Sequence, residues 1–333
     1  MKALVCMKYG SAEVLQLKEV DKPIPKDNEA LVSVHATSVN AADLETLRGD
    51  LVVRIRAPLK PPYKILGSDI AGRIEAVGRN VKHFQPGDEI WGDLSYPHNY
   101  GAFAEYVSVP ESALRLKPAS MTFEEAAAIP TAAVVALQNL MAKRPLQPGQ
   151  KVMINGAGGG VGTFAVQIAK SCGAEVTGVD STEKLDMLLS IGADHVIDYT
   201  REDFTKNGLH YDLILDVVVQ RSIFEYERAL SPDGICIFVG GSMTRVLLNI
   251  LLGTLMTNRK KIGLGMWKPN KKEDLDFLAE LYKADKVKPV IDRCYPLSEV
   301  PEAFRYFGEG HARGKVVITV KHNDKPNNLG VHA

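Results

Sequence analysis

Asn155-Gly-Ala-Gly-Gly-Gly-Val-Gly162 decides how this chain is read. An apolar run, Lys151-Val-Met-Ile-Asn155, precedes it, and Thr163-Phe-Ala-Val-Gln-Ile-Ala-Lys170 follows with helical character. Strand, glycine turn and helix in that order bring backbone N–H groups to a helix N-terminus. Unpaired donors and the helix dipole favour a pyrophosphate there. The best register is Ala157-x-Gly159-x-x-Gly162, with alanine in the first glycine position. Gly156, Gly158, Gly159, Gly160 and Val161 are therefore the expected cradle of a dinucleotide. No Gly-Lys-Ser/Thr follows, which argues against a triphosphate loop.

Downstream, short apolar runs recur between helical stretches. Glu175–Val179, His195–Tyr199, Tyr211–Val217 and Ile235–Val239 read as strands, with a helix from Thr182 to Ile191. That spacing predicts an α/β doubly wound parallel sheet. Upstream, Thr122-Phe-Glu-Glu125 has the form of a capping box, followed by a helix to Ile129 and a longer one from Pro130 through Met141. Residues 1 to about 119 differ. Glu29-Ala-Leu-Val-Ser-Val-His-Ala36 alternates with period two, and Asp69–Gly78 reads as a strand. This part predicts a mostly β domain. Near the other end, Asp274–Ala284 reads as an amphipathic helix, Val300–Phe307 as the start of another, and Gly314–Val320 as a closing strand. Pattern alone does not assign that strand to a domain. The apolar patch Val246–Met256 predicts a buried helix, a substrate mouth or a dimer interface; the basic run Asn258–Lys261 after it reads as a solvated face.

The chain has 333 residues, enough for two domains, and 45% of them are hydrophobic. Lysine plus arginine balances aspartate plus glutamate at 40 each. No strong field exists to recruit nucleic acid or an anionic membrane. Cys6, Cys172, Cys236 and Cys294 are scattered without a Cys-x-x-Cys pair, so core thiols are expected. The opening Met1–Met7 reads as a strand and not a signal peptide. A cytoplasmic location is the expectation.

The second strand of the parallel sheet should end near the adenosine ribose and leads into Asp180-Ser-Thr-Glu-Lys184. Two readings compete. Asp180 accepts from ribose hydroxyls and selects NAD, or Ser181, Thr182 and Lys184 hold a 2′-phosphate with Lys184 as a point charge. The plain alternative is a helix cap followed by a solvated lysine. Tyr199 either packs beside the adenine or is an ordinary aromatic at a strand end.

Several stretches together resemble the medium-chain dehydrogenase/reductase superfamily, and within it the zinc-free quinone oxidoreductase branch. They are Ser38-Val-Asn-Ala-Ala-Asp43, Leu66-Gly-Ser-Asp-Ile-Ala-Gly72, Pro86-Gly-Asp88, Gly101-Ala-Phe-Ala-Glu-Tyr106, Ala128-Ile-Pro-Thr131, the glycine loop, Gly192–Tyr199 and Gly314-Lys-Val-Val317. The resemblance covers residues 1 to about 320. It implies a GroES-like, mostly-β catalytic domain from residues 1–120 and 286–333, with 321–333 a flexible tail. It implies a Rossmann-type dinucleotide-binding domain at 121–285, a homodimer, and NADPH as cofactor. Lys184 and Tyr199 match positions linked in the family with the 2′-phosphate. Asp180 departs from the small or neutral residue often found there, which keeps NADH possible; the balance leans to NADPH. Thr131 resembles a residue near the nicotinamide ribose. Val217 and Val219 end a strand where the family usually has glycine near the last position, so Val219 would crowd the nicotinamide or shift the loop. Val239, Gly240 and Gly241 let the chain pass close to the nicotinamide ribose or form a turn. Arg313 would reach a phosphate, with Lys315 beside it, or the two are a solvated pair.

Zinc-dependent relatives carry a cysteine where this chain has Asn40, and Gly-His-Glu where it has Gly67-Ser68-Asp69. Zinc needs convergent thiolate or imidazole ligands, so no metal is expected. Hydride transfer to an acceptor that is already activated, a quinone or an α,β-unsaturated carbonyl, fits best. Asn40 is the first candidate to orient substrate or nicotinamide. Tyr63 and Tyr96, in loops expected around the cleft, are candidate donors to a carbonyl oxygen. Asp43 reads as a helix cap. The alternative function is a nucleotide-binding regulatory or interaction protein with little turnover.

Overall fold

The computed structural model describes residues 1–95, 98, 100–141, 145–241, 243–256, 262–269 and 271–322. The chain divides into two units, one of residues 1–117, 294–305 and 317 onward, the other of 118–293 and 306–316.

In the first unit, β1 (Lys2–Cys6) and β2 (Leu15–Glu19) form an antiparallel ribbon. The long strand β3 (Glu29–Val39) leads into α1 (Ala41–Arg48) and α2 (Leu51–Arg56). Four further strands follow: β4 (Asp69–Val77), β5 (Glu89–Asp93), β6 (Tyr106–Pro110) and β7 (Leu114–Leu116). β4 and β6 both pair antiparallel with β3, while β5 pairs with β4 and β7 with β5. Leu4, Leu47, Leu66, Ile70, Trp91 and Phe103 are buried in this unit.

The second unit opens with α3 (Phe123–Ala128) and α4 (Pro130–Leu140). The capping box expected at α3 is present: Glu125 N donates to Thr122 Oγ1 at 3.1 Å, and Thr122 N donates to Glu125 Oε2 at 2.9 Å. The run continues through β8 (Lys151–Asn155), α5 (Gly160–Ser171), β9 (Glu175–Asp180), α6 (Leu185–Ser190), β10 (His195–Asp198) and β11 (Tyr211–Asp216). It ends with α7 (Ile223–Ala229), β12 (Leu230–Phe238), α8 (Met243–Met256), β13 (Ile262–Leu264) and α9 (Lys272–Lys283). Six strands pair in parallel in the order β10-β9-β8-β11-β12-β13. Successive strands are added on one side from β8 to β10 and on the other from β11 to β13, and a ligand crevice forms outside the carboxyl ends of strands at such a switch point, here between β8 and β11. Asn155 and Asp216 are the residues at those two ends.

Finally, β14 (Ile291–Pro296), α10 (Val300–Gly308) and β15 (Lys315–Thr319) complete the chain. β14 and β15 extend the first unit's sheet to the order β14-β15-β3-β4-β5-β7. The closing strand thus joins the sheet formed by the N-terminal part. The fold is the α/β architecture expected from the sequence, a GroES-like β-rich unit with a Rossmann-type parallel sheet.

Some elements differ from expectation. β13, a sixth strand, is three residues long and carries no readable alternation. The helix expected from Thr182 begins as a single 3₁₀ turn, Thr182–Lys184, before α6. The patch at Val246 lies in α8, where Val246 is buried but Leu247, Leu248 and Leu251 are more than half exposed. No helix of the described residues is long and apolar enough to cross a membrane. Residues 323–333 of the expected tail, and the run Asn258–Lys261, lie outside the described residues.

Candidate functional site

The glycine loop connects β8 to α5. Gly156 has φ +79°, a conformation open to glycine. Gly162 allows the closest approach: a Cβ there would lie 2.2 Å from Gly156 O and 2.6 Å from Ala157 Cα. Ala157 fits the first glycine position because its backbone is not left-handed and its methyl group is buried. Gly159 caps α5 in an extended conformation with no side-chain cap. The first amides of α5 therefore have neither an intrahelical acceptor nor a capping side chain.

Segments distant in sequence converge on this loop. Gly314 N donates to Gly158 O at 2.9 Å. Lys315 is 2% exposed, and its Cδ would lie 3.1 Å from a Cβ added at Gly160. At the end of β9, Asp180 is 6% exposed and turns back to the loop. Gly158 N donates to its Oδ2 at 2.7 Å and Ser181 N to its Oδ1 at 2.9 Å. Lys184 Nζ lies 3.4 Å from Asp180 Oδ1 and donates to Gly310 O at 3.4 Å. Lys184 is itself buried, so it is not the solvated lysine of the plain alternative. Thr182 Oγ1 donates to Asp198, and Arg313 Nη2 approaches Glu183 Oε2 at 3.5 Å. Tyr199 is exposed, and its backbone N donates to Asp180 O at 3.2 Å.

A second cluster lies at the ends of β11 and β12. Asp216 is fully buried, and its carboxylate is saturated. Oδ2 accepts from Asn155 Nδ2 at 2.9 Å and from Tyr226 OH at 2.6 Å; Oδ1 accepts from Val218 N at 2.9 Å and Val219 N at 2.7 Å. Burial and the adjacent carboxylate push the Tyr226 hydroxyl's pKa far up, which keeps it a donor. These bonds hold Val219 at φ +20°. Its side chain is fully buried and packs in a core with Tyr226, Phe238 and Val246, away from solvent. Val239 N donates to Asp216 O at 2.8 Å. A Cβ at Gly240 would lie 2.6 Å from Val217 O, and one at Gly241 2.4 Å from Val218 O. Val217 and the Val239–Gly241 stretch are thus packed backbone to backbone. Thr131 is buried in the first turn of α4.

In the first unit, Asn40 caps α1 and is 7% exposed. Its Nδ2 donates to Asp69 Oδ2 at 2.9 Å and Ser68 Oγ at 3.2 Å. An ionised carboxylate only accepts, so this contact fixes which way the amide faces. Ser38 Oγ donates to the same Asp69 oxygen at 2.5 Å. Asp43 accepts from Asn40 N at 3.0 Å and Gly67 N at 3.2 Å. It ties the helix start to the loop before β4, in line with a capping role. Asp93 sits opposite Asp69 across β4 and β5. Burial, then the Asp69 charge, raises its carboxyl pKa to about 7. Tyr63 is half-buried and stacks on Tyr100 at 4.4 Å between ring centroids. Tyr96 lies outside the described residues.

The residues at the zinc ligand positions do not fit a zinc ion. They supply an amide that donates to a hydroxyl and to a carboxylate, where zinc takes thiolate, imidazole or carboxylate ligands in a convergent set. Among the described residues, no group of three or more His, Cys, Asp or Glu is placed to hold a metal. A dinucleotide does fit. The loop is glycine where side chains would clash, α5 starts uncapped, and the loop sits at the sheet's switch point.

The residues legible in the sequence thus fall into three groups. Gly156 to Val161, Asp180 to Lys184, Arg313 and Lys315 gather at one loop. Val217, Val219 and Val239–Gly241 gather at the neighbouring strand ends. Asn40 and Tyr63 lie in the first unit. Sequence reading missed Asn155 and Asp216, whose only signal was their place at strand ends, and Tyr226, within α7, which had none.

Residues 26–119 match the family described as Alcohol dehydrogenase GroES-like domain, and 191–318 the one described as Zinc-binding dehydrogenase. The mouse protein "NAD(P)H oxidoreductase RTN4IP1, mitochondrial" is 35% identical, covering 96% of this chain and 89% of its own. The tomato "2-methylene-furan-3-one reductase" is 34% identical, covering 96% and 79%. The solved quinone oxidoreductase from Coxiella burnetii superposes with a TM-score of 0.87 at 29% identity, covering 96% and 99%. The cytoplasmic expectation is overturned here: the mouse protein and its human, bovine and zebrafish counterparts are mitochondrial. Scattered cysteines and balanced charge do not distinguish one disulfide-poor compartment from another.

Proposed function

Since the chain belongs to the medium-chain dehydrogenase/reductase superfamily, we propose that it is a zinc-independent NAD(P)H-dependent oxidoreductase of quinones or α,β-unsaturated carbonyls. The observation that carries this reading is the Asn40–Ser68–Asp69 cluster. It replaces metal ligands with a hydrogen-bonded set that can orient an acceptor but cannot act as a Lewis acid. Relatives named as alkenal/one and quinone oxidoreductases support the acceptor class.

The dinucleotide supplies the hydride when bound. The chain's residues do the rest. The uncapped amides of α5 receive the pyrophosphate. Lys184 and Arg313, each beside a carboxylate, and Lys315 border the loop, and Tyr199 offers a face to the adenine. The backbone of Val217 and Val239–Gly241, with Thr131, borders the nicotinamide end. Asn40 presents its amide in one fixed orientation to the acceptor, and Tyr63 is a candidate donor to its carbonyl oxygen. Val219 turns its side chain into the core, which removes the crowding that favoured a binding protein without turnover.

The test is steady-state reduction of 1,4-benzoquinone, 9,10-phenanthrenequinone and a set of enones with NADPH and NADH, before and after dialysis against a chelator. Turnover that survives the chelator is expected, with NADPH the better donor. If NADPH fluorescence neither shifts nor quenches at near-millimolar cofactor, the proposal fails. We also propose a homodimer. Among the described residues, β13 pairs with β12 on one side only and carries an exposed Leu264. A second copy meeting this edge across a two-fold axis would cover it.

A further inference from the structure

Three described cations around the end of β9 already have a carboxylate each. Lys184 pairs with Asp180 at 3.4 Å, and both side chains are only 9% exposed. Arg313 faces Glu183 at 3.5 Å, and Arg201 faces Asp198 at 3.5 Å. Asp198 is the residue opposite Asp180 on the neighbouring strand. At the corner where an adenosine ribose would lie, these three described cations are thus each matched by a carboxylate.

The orientation of Asp180 is as informative as its pairing. A carboxylate that selects NADH directly must point outward to the ribose hydroxyls. Both oxygens of Asp180 instead accept from the protein, Oδ2 from Gly158 N and Oδ1 from Ser181 N with Lys184 Nζ beside it. A 2′-phosphate that calls on Lys184 must compete with this buried carboxylate, and a buried pair resists being parted.

We infer that Asp180 sets cofactor preference indirectly, as an internal anion that rivals the 2′-phosphate for Lys184 and keeps NADH usable beside NADPH. This rests on the dinucleotide reading above. Asp180 is a specificity-determining residue that acts through Lys184 and need not touch the cofactor.

The test is a double-substitution cycle on the full chain, reading the dissociation constants of NADPH and NADH by nucleotide fluorescence. Asp180→Asn removes the charge and keeps an acceptor for Gly158 N; Asp180→Ser serves if the asparagine variant does not fold. The unmodified protein should prefer NADPH by no more than about tenfold. Asp180→Asn should raise that preference by a further factor of about ten or more. In a Lys184→Met background, the same substitution should change the ratio by less than about twofold. An equal gain in both backgrounds would make Asp180 a direct repeller of the phosphate and overturn the inference. So would an unchanged ratio in both. If the unmodified protein binds neither nucleotide, the dinucleotide reading falls and the inference with it; binding of both with an uncoupled ratio sinks the inference alone.

Discussion

Asp93 is a carboxylic acid buried opposite a second carboxylate, Asp69. Burial and that neighbour raise its pKa from 3.8 to about 7. The folded protein keeps this proton up to about pH 7, while the unfolded chain releases it near its ordinary value. The stabilising effect is full below pH 4, declines between pH 4 and 7, and is gone above. Asp93→Asn has the same size and carries no titrating proton, and should abolish the decline. Thermal melts at pH 5 and pH 8 should diverge for the unmodified protein by several degrees more than for the variant; parallel curves would count against it. Val219 makes a different point. It is a β-branched residue at φ +20°, held by its own N–H bond to Asp216 and by the one that Val218 N makes to the same oxygen. In the middle of a helix or strand glycine is roughly 0.5–1 kcal/mol worse than alanine. Here the backbone favours glycine, so Val219→Gly should be no less stable than Val219→Ala in urea denaturation. The usual order would show that Val219 is unstrained.

At the scale of the element, the β8–loop–α5 unit depends on backbone approach. Gly162 stands where a methyl group would meet Gly156 O at 2.2 Å, and the obstruction is backbone, which cannot swing aside. Gly162→Ala should cost about 1–3 kcal/mol, the range for forced overpacking, and weaken dinucleotide binding more than tenfold. Unchanged nucleotide titrations would show that the loop does not cradle the cofactor. The elements around this loop were legible because their signals are local. Thr122 and Glu125 form their box within one turn, and β8, β9 and β11 are continuous buried runs, as parallel strands are. β13 and α7 were not, because three residues of strand and seven of helix leave too few periods to read.

At the scale of the molecule, the six-stranded sheet ends on an edge. Leu264 in β13 and Leu247, Leu248 and Leu251 in α8 leave apolar surface uncovered in a single chain. Uncovered edges of this kind invite pairing. Leu264→Arg should shift the mass measured by light scattering from two chains to one. Unmodified protein that already runs as one chain would remove the dimer from the account.

The sequence by itself determined the α/β architecture, the dinucleotide loop and the replacement of zinc ligands at Asn40 and Ser68. Each is written in residue identity or short-range spacing, which the backbone converts directly into strand, turn and donor set. Tertiary structure alone decided what those residues do to one another. Asp180 and Lys184 stand four apart in sequence, yet only the fold turns the carboxylate to Gly158 and buries the pair. Asp216 gains its role from Asn155, sixty-one residues earlier, and from Tyr226 on the following helix. Side-chain direction and burial are set by packing between distant segments, and no local pattern encodes them.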